Sequence, residues 1–161
     1  MIDDVRDIIK KGIYSLHNAL PEIRELASHK DWKKREDAAT ALVEISKKKE
    51  YEVVSEMIIW AEEKDPNIRR ASSEGLRSVA RRNPEKILPV IEKLKTDDSL
   101  YVRKSVAALL RAISKKNPEF VADLCRKWAK LKNKNTNWII RQGIKKLSKE
   151  QQEELISLLG E

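Results

Sequence analysis

The hydrophobic positions of this chain recur in a fixed order after four arginines, which are spaced 34, 34 and 38 residues apart. The third, sixth and tenth residues after each of the first three are apolar or small, and the residue just before the last three is Ile or Val. At about 100° per residue, these places lie on one side of a helix. Each arginine therefore marks a predicted helix with one buried face. The four are Arg35, Arg69, Arg103 and Arg141.

A second apolar pattern with helical spacing follows each of the first three arginine helices. It opens at Glu50, Pro84 or Pro118, which are again 34 residues apart. Proline suits the first turn of a helix, where its missing N–H donor is not needed. An Asp or Asn shortly before each arginine helix is a suitable N-cap. Two helices in each unit of about 34 residues predict an α-solenoid.

The predicted fold is all-α: a HEAT-like α-solenoid of about four helix pairs with capping helices, forming one domain over residues 1–161. The placement of Asp and Arg favours HEAT units over TPR units, because the Trp, Leu-Gly, Tyr and Pro pattern of TPR repeats is missing. Pro89 falls inside one predicted helix and should kink it. The predicted helices cover residues 2–19, 21–29, 31–48, 51–63, 66–82, 84–96, 99–116, 118–131, 136–148 and 150–159.

Composition excludes several classes of protein. Four glycines and five prolines are too few for the frequent tight turns of an all-β fold. A single cysteine, Cys125, cannot form an internal disulfide, and no signal peptide opens the chain, so the expected location is the cytoplasm. No apolar run is long enough to span a membrane. The sequence has no zinc motif, glycine-rich phosphate loop or nucleophile elbow, so we expect no metal and no cofactor.

Charge is distributed unevenly along the chain. Residues 1–64 carry 12 Lys+Arg and 14 Asp+Glu, a net charge of −2, whereas residues 65–161 carry 22 and 12, a net charge of +10. Concentrated positive charge favours an anionic partner, and nucleic acid is a frequent one. A solvated, lysine-rich surface that serves only solubility is the alternative.

One stripe of the arginine helices carries much of this positive charge. The first, fifth and eighth residues after each arginine lie opposite the apolar side, which in a stacked solenoid is the exposed concave wall. We predict that the six cations of this stripe contact DNA phosphates. Glu74 stands between two of them, although an ordinary i,i+4 ion pair with Arg70 would also explain it. The six cations are Arg70, Arg77, Lys104, Arg111, Lys146 and Lys149.

The four arginines that define the repeat lie at the seam between units, where we expect each to bridge to the capping Asp or Asn of a neighbour. The tryptophans fall into two pairs. Trp60 and Trp128 share a place on the second helices and should pack between layers, whereas Trp32 and Trp138 lie at the starts of arginine helices, nearer the rim. A rim tryptophan can stack on a sugar or base, or fill a groove between repeats.

Several runs resemble the HEAT-like DNA alkylation repair family of alkylpurine DNA glycosylases, nearest to its AlkC type. The resemblance spans roughly residues 55–160. It is carried by Trp60-Ala61, Asp65-Pro66-Asn67-Ile68-Arg69-Arg70-Ala71-Ser72-Ser73-Glu74-Gly75, Asp97-Asp98-Ser99-Leu100-Tyr101-Val102-Arg103-Lys104-Ser105-Val106-Ala107, Ile113-Ser114-Lys115-Lys116-Asn117-Pro118-Glu119 and Trp138-Ile139-Ile140-Arg141.

This resemblance implies a DNA repair protein that holds duplex DNA on a basic concave face and excises N3- or N7-alkylated purines. In the family, a carboxylate and aromatic side chains beside the deoxyribose stabilise the positive charge that develops as the glycosidic bond breaks. Carried over to this chain, the carboxylate is Glu74, and Trp138 or Trp60 supplies the aromatic wall.

The chain departs from the family at several places, including Leu76-Arg77-Ser78 and Gln142. Where the family carries Asn-His-Leu-Asn-Asp, this chain reads Ala108-Leu109-Leu110-Arg111-Ala112, so polar and acidic groups are missing. DNA binding is therefore the firmer expectation, and glycosylase activity is left open. The alternatives are a non-catalytic scaffold that binds an acidic protein partner and a protein that recognises distorted duplex DNA without chemistry.

Overall fold

The structure, a computed structural model, describes residues 4–160, and every regular element within that range is helical. A 3₁₀ turn at Pro84–Ile87 separates α6 from α7. The α-helices are α1 (Val5–Tyr14), α2 (Leu16–Ala27), α3 (Trp32–Ser46), α4 (Glu50–Trp60), α5 (Pro66–Glu74), α6 (Arg77–Arg82), α7 (Leu88–Leu94), α8 (Leu100–Ser114), α9 (Pro118–Ala129), α10 (Lys134–Gly143) and α11 (Lys149–Ser157).

The arginine helices begin at side-chain caps, as the sequence predicts. Asp31, Asp65 and Asn133 each accept a hydrogen bond from a backbone N–H in the first turn of α3, α5 and α10. The cap of α8 is Ser99 rather than one of the two aspartates before it. These caps satisfy backbone donors that have no partner within the helix.

The helices form two layers, and the prediction of a HEAT-like helical solenoid is confirmed. The first layer contains α3, α5 with α6, α8 and α10, which pack closely side by side, most extensively α5 on α8 and α8 on α10. The second layer contains α4, α7, α9 and α11, which contact one another far less. In a curved solenoid the more closely packed layer lies on the concave side, and here that layer holds the arginine helices. We call this side the inner face.

Apolar side chains fill the space between the two layers. Ile45, Val79 and Ile113, at equivalent places on three arginine helices, are all buried. Trp60 and Trp128 are also buried, with 2% of each residue exposed, as their repeat positions predict. No helix within residues 4–160 is long and apolar enough to cross a membrane.

Several predicted helices differ from the observed ones, among them the range 21–29, whose helix begins at Leu16. The range 2–19 was too long, because the backbone is extended at Ser15 and α2 already begins at Leu16. The range 66–82 contains a break after Glu74, where Leu76 N–H donates to the carbonyl of Ser73 at 3.0 Å instead of continuing the helix. The helix predicted over 136–148 ends at Gly143. Met1 to Asp3, where the first predicted helix begins, lie outside the described residues.

Pro89 does not kink a continuous helix. The 3₁₀ turn at Pro84–Ile87 ends just before it, and Pro89 lies in the first turn of α7. A proline in that turn lacks only a donor that would have no helical partner. The predicted kink is instead a junction between two types of helix.

Candidate nucleic-acid interface

Two arginines and two glutamates meet on the inner face where α3 packs against α5 and α6. The Arg70 guanidinium lies 3.3 Å from a Glu74 carboxylate oxygen and 3.4 Å from Glu36 Oε2. Arg77 Nη1 lies 3.1 Å from Glu36 Oε1 and 3.6 Å from Glu74 Oε1. We call Arg70, Arg77, Glu36 and Glu74 the four-charge cluster. Two positive and two negative groups leave it with no formal net charge.

Glu74 forms the floor of this cluster. Only 11% of its side chain is exposed, and its Oε2 accepts a hydrogen bond of 2.6 Å from the Ser105 hydroxyl of α8. Its other oxygen faces Arg70 and Arg77. The i,i+4 pair with Arg70, one of the two interpretations of the sequence, is present. Both carboxylate oxygens are therefore engaged by protein groups.

Glu36 is a member of the site that the sequence did not single out. It lies on the predicted stripe, and its side chain is 39% exposed, so it is the more accessible carboxylate of the cluster. Its partners, Arg70 and Arg77, are 34 and 41 residues away along the chain. The sequence could have indicated Glu36, because it is the first residue after Arg35 and so occupies a stripe position. Its pairing with residues 34 and 41 positions away could not be predicted, because that pairing depends on how the units stack.

Tyr101 is a second residue that the sequence did not single out. The Arg70 guanidinium lies 4.7 Å from the centre of its ring, and that of Arg35 lies 5.2 Å from it. Arg35 Nε also donates a hydrogen bond of 3.0 Å to the Tyr101 hydroxyl. Cation–π contacts of this kind hold a guanidinium in a defined orientation. Tyr101 thus connects α8 to α3 and α5 and fixes the position of Arg70.

A small cleft lies between α8 and α10. It has a volume of about 260 Å³ and is lined by Lys104, Ala107, Arg111, Trp138 and Gln142. Arg111 Nη1 donates to the carbonyl of Gln142 at 2.9 Å, which holds the guanidinium at the cleft. Trp138 is half-buried and packs against the hydrophobic core. We call this the cationic cleft.

The tryptophans proposed as an aromatic wall occupy different environments. Trp138 lines the cationic cleft, with the Arg103 guanidinium 5.4 Å from its ring centre. Trp60 lies in the core, and the Arg24 guanidinium is 5.7 Å from its ring centre. Trp138 can therefore meet a ligand on the inner face, whereas Trp60 is covered. The equivalent rim residue Trp32 is 62% exposed.

Lys146 and Lys149 do not continue the stripe along α10. That helix ends at Gly143, so Lys146 lies in the following turn and Lys149 is the first residue of α11. Both side chains are exposed. The helical spacing that aligned them with Lys104 and Arg111 in the sequence is interrupted before either residue.

The six cations of the predicted stripe therefore fall into two groups. Arg70 and Arg77 are neutralised by carboxylates. Among residues 4–160, no carboxylate lies within salt-bridge distance of the other four stripe cations. These four are Lys104, Arg111, Lys146 and Lys149.

The described part of the chain contains neither a cluster of metal ligands nor a reactive thiol. No group of three or more His, Cys, Asp or Glu side chains there is arranged to hold a metal ion. Cys125 is buried in the core, and burial raises the pKa of its thiol to about 12. A thiol with that pKa is protonated at neutral pH and is a poor nucleophile.

Comparisons with known proteins identify similar sequences and folds. The sequence model described as DNA alkylation repair enzyme matches residues 5–147. The uncharacterized protein YhaZ of Bacillus subtilis (strain 168) is 30% identical over 156 residues, which cover 91% of this chain and 43% of that protein.

Two solved structures resemble the fold. The alkylpurine DNA glycosylase AlkC of Pseudomonas fluorescens, solved bound to DNA containing an abasic site analog, superposes with a TM-score of 0.82 at 26% identity, covering 96% of this chain and 44% of AlkC. AlkD2 of Streptococcus mutans superposes with a TM-score of 0.70 at 33% identity, covering 80% of this chain and 65% of AlkD2. This chain thus spans less than half the length of YhaZ and AlkC.

Proposed function

Because this chain belongs to the DNA alkylation repair enzyme family, we propose that it binds duplex DNA along the inner face of its helical stack. The observation that carries the proposal is the cationic cleft, where Lys104 and Arg111 lie beside Trp138 and no carboxylate of residues 4–160 pairs with either of them. Cations that are not neutralised within the protein can neutralise phosphates and release the counterions of DNA. The AlkC structure, which contains DNA, supports the same partner.

Binding through this face requires no particular base sequence. Lysine and arginine side chains contact phosphates, which are the same at every base pair. We therefore propose non-specific binding, with Lys146 and Lys149 as further phosphate contacts beyond the cleft. A DNA partner also favours the cytoplasm as the location, since DNA lies there in bacteria such as those that supply the matched relatives.

The first experiment replaces Lys104 and Arg111 together with glutamine and measures binding to an undamaged, fluorescently labelled duplex. We expect weaker binding and a salt dependence whose slope of log K against log salt is smaller by about 1.8, since each phosphate contact contributes about 0.9. The matched control is Lys115→Gln with Lys116→Gln, which removes the same charge from two exposed residues that follow the C-terminal end of α8 and do not line the cleft. Equal slopes for the two double variants would refute the role of the cleft.

The second candidate function is the release of N3- or N7-alkylated purines. The four-charge cluster favours it, because a carboxylate next to bound DNA can stabilise the positive charge that develops on the sugar. Glu74 is the proposed carboxylate and Trp138 the proposed aromatic neighbour. An alkylated purine is already a good leaving group, so this stabilisation requires no metal.

The test of this activity is Glu74→Gln, assayed for release of N7-methylguanine and N3-methyladenine from methylated duplex DNA. We expect release to stop while binding to duplex DNA is retained, since the glutamine carbonyl can still accept the Ser105 hydrogen bond. Circular dichroism of both proteins checks that the fold is intact. Release at the parent rate would remove Glu74 from catalysis. If the parent protein binds DNA and releases no base, the chain recognises DNA without chemistry.

The scaffold alternative has a separate outcome. If the protein shows no affinity for duplex DNA at low salt but binds an acidic peptide, the inner face serves a protein partner. The Lys104 and Arg111 double variant tests that partner in the same way, because an acidic segment would contact the same cations.

A further inference from the structure

Glu36 joins the two arginines of the neighbouring unit. Its two oxygens lie 3.1 Å from Arg77 Nη1 and 3.4 Å from Arg70 Nη2. A phosphodiester group offers arginine the same arrangement, two anionic oxygens on one centre. We propose that Arg70 and Arg77 form a phosphate site that the Glu36 carboxylate occupies in the free protein, so that Glu36 weakens DNA binding by competing with the phosphate. This inference rests on the DNA binding proposed above.

Of the two carboxylates in the four-charge cluster, Glu36 is the exchangeable one. Glu74 is held by the Ser105 hydroxyl, and only 11% of its side chain is exposed. Glu36 is 39% exposed, and within the described residues the hydrogen bonds and ion pairs of its side chain are those with the two arginines. A rotation about its side-chain bonds moves it into solvent without breaking any other hydrogen bond.

The arginines keep their positions when Glu36 leaves. Arg70 remains stacked on the Tyr101 ring at 4.7 Å and paired with Glu74 at 3.3 Å, and Arg77 remains 3.6 Å from Glu74. Two guanidinium groups and one remaining carboxylate then carry a net charge of +1. One phosphate, with a single negative charge, returns the net charge of the cluster to zero. The phosphate thus replaces Glu36 without any movement of Arg70 or Arg77.

The test compares Glu36→Gln with wild type in binding to an undamaged labelled duplex. We expect binding about three- to tenfold tighter at low salt, which is the effect of removing one or two exposed ion pairs that compete with the ligand. The matched control is Glu44→Gln. Glu44 lies on the same helix with 42% of its side chain exposed, and it pairs with Lys47 away from the cluster. We expect that control to change affinity less than about twofold.

Combining Glu36→Gln with a substitution of Arg77 or of Lys104 separates a local effect on the cluster from a general effect of net charge. Coupled residues give non-additive effects, whereas distant ones add. We expect the gain from Glu36→Gln to shrink when Arg77 is also replaced by glutamine and to persist when Lys104 is replaced instead. Circular dichroism and thermal unfolding of each variant confirm that the comparison is between folded proteins.

Each remaining outcome decides between the two proposals. If wild type binds DNA with a slope that depends on Lys104 and Arg111, but Glu36→Gln resembles Glu44→Gln, this inference is wrong and the proposed function stands. Equal gains in the Arg77 and Lys104 backgrounds also overturn it. If neither wild type nor Glu36→Gln binds duplex DNA, both proposals fail.

Discussion

Glu50, the first residue of α4, is held by two cations of the following unit. Its carboxylate lies 2.9 Å from Arg82 Nη2 and 2.7 Å from Lys86 Nζ. These hydrogen bonds, that from Lys86 foremost, lower the pKa of Glu50 below its ordinary value. A carboxyl group whose pKa is lower in the folded than in the unfolded state stabilises the fold above its ordinary pKa. That contribution is lost as the pH falls through the lowered value.

Glu50→Gln should therefore destabilise the protein at neutral pH but not in acid. We expect a loss of about 1 kcal/mol at pH 7, or about 2–4 °C in Tm, which disappears once the pH falls below the lowered pKa of Glu50. Thermal unfolding followed by circular dichroism at pH 7 and in acid measures it. Glu52→Gln is the matched control, because Glu52 also lies in the first turn of α4 but is exposed. Equal losses for both variants would assign the effect to the helix dipole rather than to Arg82 and Lys86.

Among the elements, the helices with strong caps and regular apolar spacing were predictable from the sequence. The ranges predicted for α3, α4, α8 and α9 agree with the observed ones to within three residues. Each of these helices has either a side-chain cap or a glutamate or proline at its first position. These are local signals, and they do not depend on how the units pack.

The break between α5 and α6 shows why other boundaries could not be predicted. It lies at Gly75, where an added Cβ would be only 2.9 Å from the Cβ of Leu42 on α3. Gly75 therefore allows two arginine helices to approach closely. Gly143, where α10 ends, lies equally close to Leu110 of α8. Such approaches depend on the packing of neighbouring units, and periodicity within one helix does not contain that information.

In the candidate site, too, contacts within one helix could be predicted from the sequence, whereas contacts between units could not. The i,i+4 pair of Arg70 with Glu74 follows from helical spacing alone, and the structure contains it. The contacts of Glu36 with Arg70 and Arg77 join residues of different units. The repeat alignment places all of these residues on one stripe. It does not show that acids of one unit neutralise cations of the next.

For the whole molecule, pairing between units changes the meaning of the uneven charge. The net charge of −2 over residues 1–64 and of +10 over residues 65–161 suggested a basic surface that begins with the second unit. In the structure, Glu36 and Glu50 from the acidic part neutralise cations of that unit. The unpaired stripe cations begin at Lys104 on α8. In the free protein, the stripe cations that have no carboxylate partner among residues 4–160 thus cover a smaller part of the surface than the sequence indicates.

Two of the repeat arginines, Arg69 and Arg103, connect their own unit to the following one. Arg69 donates to both oxygens of Asp97, at 2.8 and 3.1 Å, and Arg103 donates to Asn135 at 3.0 Å. Arg69 also lies 3.7 Å from Asp98, the aspartate that the sequence indicated as the cap of the third arginine helix, although the observed cap there is Ser99. Arg103 contacts Asn135 rather than the cap Asn133. The expected bridge between units is therefore present at both arginines, and for Arg103 it is displaced by two residues from the cap.

Arg69→Lys tests how much one of these bridges contributes to the stability of the stack. Arg69 also donates to the carbonyls of Glu63 and Lys64, at 3.0 and 2.8 Å, and lysine cannot reproduce this planar set of hydrogen bonds. The partner carboxylate of Asp97 is only 6% exposed, so a lost hydrogen bond is not replaced by water. We expect a loss of about 1.5–3 kcal/mol in the free energy of unfolding by urea.

The control for this substitution is Arg81→Lys, at an exposed residue near the end of α6, which should change stability by less than about 0.5 kcal/mol. Because the stability of a solenoid is a sum of unit and interface contributions, a weakened central interface should also reduce the cooperativity of unfolding and lower the m-value. If Arg69→Lys unfolds like Arg81→Lys, the bridge to Asp97 does not stabilise the stack. Stability would then come from the apolar contacts between the layers alone.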